Sequence, residues 1–83
     1  MRVTVRLFAF YRELAGSDLV QVDLPAGATV ADLRRRLRLR FPSLPQEPYP
    51  LVVAVDMAYA EDGCVLKEGQ EAALIPPVSG GVA

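Results

Sequence analysis

The sequence predicts a single α+β domain: one mixed sheet of four to five strands with one main helix packed on one face. Two segments, 2–8 and 19–24, alternate apolar and polar residues at the period of half-buried strands. A helical segment follows them, and two further strand-like runs, 51–55 and 71–75, come after the helix. The chain has 83 residues, of which 52% are hydrophobic, which fits one folded domain and is too apolar for a disordered chain.

The first two strands are predicted to form an antiparallel hairpin. Their apolar faces are formed by Val3, Val5 and Leu7 and by Val20, Val22 and Leu24. Between the strands, residues 10–15 predict a short helical turn that ends at Gly16, a residue suited to a helix C-terminus. The second strand is broken by Pro25-Ala26-Gly27.

The main helix is predicted to begin after Thr29, a good N-cap, with Asp32 in its first turn. Its buried stripe is formed by Val30, Leu33 and Leu37. It should end near Phe41, because the residue before a proline avoids helical geometry. Four prolines between 42 and 50 then indicate an ordered or semi-rigid loop inside the domain.

The C-terminal half supplies the remaining strands. The apolar run 51–55 suits a strand covered on both faces. Residues 56–60 predict a turn and a short strand, and 71–75 predict the last strand, which Pro76-Pro77 ends. Strand, strand, helix, strand, short strand, strand is the order of a β-grasp, or ubiquitin-like, fold. We therefore divide the chain into a β-grasp domain, 1–78, and a flexible tail, 79–83, that contains Gly80-Gly81.

Composition excludes several classes of function. The chain has no histidine, which removes the usual general base, the usual zinc ligand and every Ser-His or Cys-His nucleophile, so no metal site is expected. The net charge of −1 favours neither nucleic acid nor an anionic membrane, and no apolar run is long enough to span a bilayer. A single cysteine, Cys64, fits a reducing cytoplasm.

Three features remain as candidate sites. The Gly80-Gly81 tail lacks side chains, so it can enter a narrow channel, although a glycine-rich terminus is often simply frayed. A basic run at 34–40 contains five arginines. We interpret it as the solvated face of the main helix rather than as a nucleic-acid contact. We interpret Cys64 as a small apolar side chain near a turn rather than as a cysteine that carries a persulfide.

Three motifs make the chain resemble the small, sulfur-carrying subunit of molybdopterin synthase (MoaD-like), within the ubiquitin-like sulfur carriers. They are Val5–Gly16, Val53–Asp56 and Leu66–Gly81, and the last ends in Pro76-Pro77-Val78-Ser79-Gly80-Gly81. The resemblance covers almost the whole chain. Many β-grasp domains lack this ending, and the Arg-Glu-Leu-x-Gly block separates the group from ubiquitin itself.

The resemblance implies a carrier with no catalytic groups of its own. In that family a separate, E1-like enzyme uses ATP to adenylate the terminal glycine carboxylate, and sulfur then replaces oxygen to give a thiocarboxylate. On this chain the reacting residue would be Gly81. The carrier itself is expected to bind no cofactor tightly, since the ATP is used by the activating partner. The sulfur goes to a pyranopterin precursor inside the complex with the large catalytic subunit.

The resemblance also implies which residues meet the partner. The tail residues Val78, Ser79 and Gly80 would enter the large subunit, and Phe8, Arg12, Pro76 and Pro77 would lie near the contact. A fourth candidate follows from the residues alone: Phe8, Phe10, Tyr11 and Tyr59 are more aromatic side chains than we expect a domain of this size to bury. We expect Phe8 and Phe10 to lie in the core, and the aromatic side chains left exposed to form a docking patch for the large subunit.

One departure from the family pattern concerns the terminus. In the family the second glycine is the last residue, whereas here Val82-Ala83 follow Gly81. We expect a protease to remove them. The alternatives to processing are an inactive form that keeps the two residues, and loading of sulfur by another route. The alternatives for the function are a sulfur carrier for thiazole or another thio-metabolite, and a non-covalent β-grasp interaction module with an inert tail.

Overall fold

The computed structural model describes residues 1–76 as one mixed sheet with two helices. The elements are β1 Arg2–Leu7, α1 Ala9–Ala15, β2 Leu19–Asp23, α2 Val30–Arg40, β3 Val52–Val55, β4 Ala58–Tyr59 and β5 Glu71–Ile75. The strand order is β2-β1-β5-β3-β4, in which β1 and β5 are parallel and the other neighbours antiparallel. This confirms the predicted architecture, with α1 as a second, shorter helix.

The core lies between the sheet and α2. The predicted apolar faces of β1 and β2 and the helical stripe Val30, Leu33 and Leu37 are all buried in one cluster. The expectation that the strand at 51–55 is covered on both faces is wrong at Val52, which is 40% exposed. Val52 pairs with Ile75 on the face of the sheet opposite the core.

Local hydrogen bonds fix the ends of α2. The Thr29 hydroxyl accepts a hydrogen bond from the Asp32 backbone N–H, at 3.3 Å, and the Asp32 carboxylate accepts one from the Thr29 N–H, at 2.9 Å. These bonds, with Arg35 nearby, hold the pKa of Asp32 below its ordinary value. The helix ends at Arg40, and its C-cap is Phe41, directly before Pro42, as predicted.

Two arginines of α2 bind the segment at 45–51, which comprises most of the proline-containing loop and Leu51 after it. Arg38 donates to the Pro45 carbonyl at 3.0 Å, to the Glu47 carboxylate at 2.7 Å and to the Tyr49 carbonyl. Arg34 donates to the Leu51 carbonyl at 2.7 Å. The interpretation of the whole basic run as a solvated face is therefore wrong at Arg38, which is only 8% exposed, because the loop covers it.

Neither of the two helices formed by residues 1–76 is long and apolar enough to cross a membrane.

Candidate functional site

The chain leaves the sheet toward its C-terminal tail beside the junction of β1 and α1. Because β1 and β5 are parallel and Leu7 lies opposite Leu74, Phe8, which follows β1, and Ile75, the last residue of β5, lie side by side at this end of the sheet. Pro76 follows Ile75 and is half-buried. The predicted site residues Pro77, Val78, Ser79, Gly80 and Gly81 lie outside the described residues.

A groove runs along the open face of the sheet next to this exit. Its cavity volume is about 460 Å³, and its lining combines Phe8, Met57, Tyr59 and Ile75 with Arg6, Glu71, Ala54, Ala72 and Ala73. Ala54 and Ala73 lie opposite each other on β3 and β5. Small side chains in the middle of a sheet leave room above it, so this pair leaves a depression between the larger side chains.

One end of the groove is charged. The Arg6 guanidinium donates to the Glu71 carboxylate at 2.8 Å, and both side chains are about half exposed. An exposed pair of this kind contributes little to folding stability. Its effect at this place is to present both signs of charge beside an apolar groove, which can orient a partner.

Of the three aromatic residues around α1, one is buried and two are exposed, which differs from the prediction. Tyr11 is buried, at 1% exposure, and burial raises its pKa to about 12. Phe8 and Phe10 are 42% and 43% exposed, so the expectation that they lie in the core is wrong. The reason is helical geometry: Tyr11 faces the core, and the Phe10 ring packs edge-to-face on Tyr11 with 4.8 Å between ring centroids.

Met57 stands at the rim of the groove in an unusual backbone conformation. It forms the tight turn between β3 and β4 with Asp56, and both residues have positive φ, +71° and +50°. A methionine rarely adopts this conformation. Met57 is also 99% exposed, so the turn holds a large apolar side chain in solvent next to Tyr59, which is 77% exposed.

The other candidates lie away from the groove. Arg12 is exposed on the last turn of α1 and does not line the cavity. Cys64 is exposed and directly follows the turn at 62–63, which agrees with its predicted place near a turn. Within residues 1–76, no group of three or more His, Cys, Asp or Glu is placed to hold a metal ion.

The sequence alone does not single out most of the groove. Arg6, Glu71 and the alanine pair belong to three separate strands, and their proximity depends on the order of strands in the sheet. The signals available were weak: small residues inside two strand-like runs, and a two-residue turn at Asp56-Met57.

Comparison with known proteins gives a family match over nearly the whole chain. Residues 5–81 match the model of the ThiS family, and the match ends on the second glycine of the tail. The molybdopterin synthase sulfur carrier subunit of Arabidopsis thaliana is 36% identical over 81 residues, covering 98% of this chain and 84% of the relative. The subunit of the same name from Drosophila erecta is 39% identical over 84 residues, covering 98% and 92%.

A solved structure shares the fold. The crystal structure of SAMP1 from Haloferax volcanii aligns with a TM-score of 0.86 and 34% identity, covering 98% of this chain and all of that one. The predicted ubiquitin-like β-grasp architecture and the predicted resemblance to the sulfur carriers are thereby confirmed.

Proposed function

The chain belongs to the ThiS family, and from that membership we propose that it is the sulfur carrier subunit of a molybdopterin synthase. The observation that carries the proposal is the extent of the family match, which includes both glycines of the tail and ends at Gly81. The relatives named above support molybdopterin as the end product, rather than thiazole or another thio-metabolite.

The proposed chemistry takes place on the carboxyl carbon of Gly81. A carboxylate is a poor electrophile, so a separate E1-like enzyme first joins it to AMP from ATP, with pyrophosphate as the leaving group. Sulfide (HS⁻) then attacks the acyl carbon, the acyl–phosphate bond breaks and AMP leaves, and loss of the sulfur-bound proton gives a thiocarboxylate. The carrier contributes an unhindered acyl carbon, since Gly80 and Gly81 have no side chains to obstruct either partner's active site.

The activation requires a free carboxylate on Gly81. Val82 and Ala83 follow Gly81, so the peptide bond between Gly81 and Val82 must be hydrolysed first. We propose that a processing protease does this and that the processed chain is the form that is adenylated.

We further propose that the groove is the docking surface for the large catalytic subunit and for the adenylating enzyme. It is lined by Ile75, next to the last described residue, Pro76, so a partner that covers Phe8 and Ile75 would lie close to the point from which the chain continues toward Gly81. Its exposed apolar rim and its Arg6–Glu71 pair combine the features of a protein interface: an apolar centre with charge at the edge. Pro76 and Pro77 would stiffen the start of the tail, and Arg12 would contact the partner outside the groove.

The carrier proposal is tested by the intact mass of the protein purified from its own cells. Loss of Val-Ala together with exchange of one oxygen for sulfur supports it. A reconstituted reaction then uses a chain ending at Gly81, the adenylating enzyme, ATP, a sulfide source, the large subunit and the pyranopterin precursor. A chain ending at Gly81 that forms neither adenylate nor thiocarboxylate refutes the carrier proposal and leaves the non-covalent interaction module.

The matched control is Gly81→Ala in the same shortened chain. It should keep the fold, because the last residues of a domain generally contribute little stability, and it adds one methyl group at the reacting residue. We expect sulfur transfer to fall sharply while the thermal midpoint stays unchanged. Full transfer by this variant would contradict the requirement for a chain without side chains at Gly81.

A further inference from the structure

The sheet has one long open edge. β4, at one end of the sheet, has two residues, whereas β2, at the other end, has five. An exposed edge strand presents unpaired backbone groups on which the strand of another molecule can add, and proteins commonly blunt such edges.

The register identifies which carbonyls of β2 face outward. Met1 and Leu24 exchange two backbone hydrogen bonds, of 2.6 and 2.8 Å, so they are a hydrogen-bonded pair of the antiparallel ladder. Pairing alternates along such a ladder. The residues of β2 whose backbone groups point away from β1 are therefore Leu19, Gln21 and Asp23.

Each of these three outward carbonyls is already occupied. The Leu19 carbonyl accepts a hydrogen bond from the Ser17 hydroxyl at 3.1 Å. The Gln21 carbonyl accepts one from the Arg40 guanidinium at 2.7 Å, and the Asp23 carbonyl accepts one from Arg36 at 3.2 Å. All three acceptors that a new strand would need are used by side chains of the same molecule.

The two arginines fit the edge because of their spacing. Residues four apart on a helix lie on the same face, about 6 Å apart along the axis. Carbonyls two residues apart on a strand are separated by roughly 6.7 Å. Since Arg36 meets Asp23 and Arg40 meets Gln21, α2 runs antiparallel to β2 and places one arginine opposite each carbonyl.

We propose that Arg36 and Arg40 seal the open edge of the sheet and keep β2 from pairing with the β2 strand of a second copy of the chain. Two-fold pairing of β2 strands would bring four guanidinium groups together, two from each copy, and the incoming N–H groups would compete with them for the same carbonyls. No ion pair among residues 1–76 involves either arginine, so their charge stands at the edge without a bound carboxylate. The occupant of an unsealed edge is a second copy, because the alternating strand is identical in both molecules and offers the same backbone groups in return.

The test compares self-association of full-length variants by sedimentation equilibrium. Arg36→Ala/Arg40→Ala should associate at least about tenfold more tightly than the parent protein, since four carbonyls per dimer become available. The control is Arg35→Ala/Lys67→Ala, which removes the same charge from exposed positions that do not contact β2. It should behave like the parent protein.

Two further variants locate the effect. Arg36→Gln/Arg40→Gln removes the charge with a smaller loss of side chain and should also associate, so it provides the test if the alanine variant does not fold. Adding Gln21→Pro to either variant should restore the parent behaviour, because the Gln21 N–H points outward and proline there blocks only an incoming strand. The proposal is overturned if the folded variants associate no more than the control, or if association persists with Gln21→Pro.

Discussion

Replacing Phe8 by alanine should weaken the complex with the large synthase subunit. The residue stands where β1 ends, beside the start of the tail, and its ring lines the groove on the open face of the sheet. If that groove is the docking surface, the exposed part of the ring is covered when the subunits assemble.

The size of the effect follows from the exposure of the ring. Aromatic side chains bury roughly 150–250 Å² when fully covered. Phe8 is 42% exposed, so a partner can cover roughly 80 Å² more of it. At about 25 cal/mol per Å², this contact contributes about 2 kcal/mol, which corresponds to a dissociation constant roughly 30-fold higher for Phe8→Ala.

Phe10→Ala is the matched control. The two rings are equally exposed, at 42% and 43%, and so lose similar folding contacts on truncation, but Phe10 does not line the groove. Isothermal titration of the chain ending at Gly81 with the purified large subunit gives both dissociation constants, and thermal unfolding reports the cost to the fold. Equal losses of affinity in the two variants would refute the assignment of the groove, as would unchanged binding by Phe8→Ala.

Three further predictions concern the fold. Arg38→Ala should lower the free energy of unfolding by about 2–4 kcal/mol in urea titrations, because the loop carbonyls that Arg38 binds lose their hydrogen-bond donor. The control Arg35→Ala, at an exposed position, should lower it by less than about 1 kcal/mol. Met57→Gly should raise the thermal midpoint, because glycine adopts a positive φ without strain, a gain of about 0.5–1 kcal/mol in the free energy of unfolding. Ala58→Gly in the adjacent strand should lower the midpoint. A lower midpoint for Met57→Gly than for Ala58→Gly would show that the turn is not strained. Because the folded pKa of Tyr11 is raised, the unfolded chain ionises first at high pH, so stability should be intact below pH 10 and lower by about 2 kcal/mol at pH 12. A Tyr11→Phe chain that loses as much stability would disprove this origin.

The parts of the fold that the sequence predicts depend on local chemistry. The alternation of β1 and β2 and the Thr29–Asp32 cap depend only on residues close together in the sequence. The observed elements accordingly begin and end close to the predicted positions. The end of α2 is predictable for the same reason, because Pro42 restricts the backbone of Phe41 through the peptide bond that joins them.

The parts that the sequence does not predict depend on distant contacts. Phe8, Phe10 and Tyr11 are similar in hydrophobicity, and only the angle at which α1 leaves β1 decides which ring faces the core. Arg38 belongs to a run that composition alone presents as a solvated face, and it becomes buried because the proline-containing loop folds back over it. The tail mechanism lies on Gly81, beyond the described residues, and stays a prediction from family membership.

The parallel pairing of β1 with β5 has a consequence for synthesis of the protein. β1 emerges from the ribosome first, yet its central neighbour is the last of the described strands, so the middle of the sheet cannot close until β5 has been made. The same strand carries the tail. A chain interrupted before β5 therefore lacks both its central strand and Gly81. Under the proposed function, an activating enzyme would meet Gly81 only on chains that can complete the sheet.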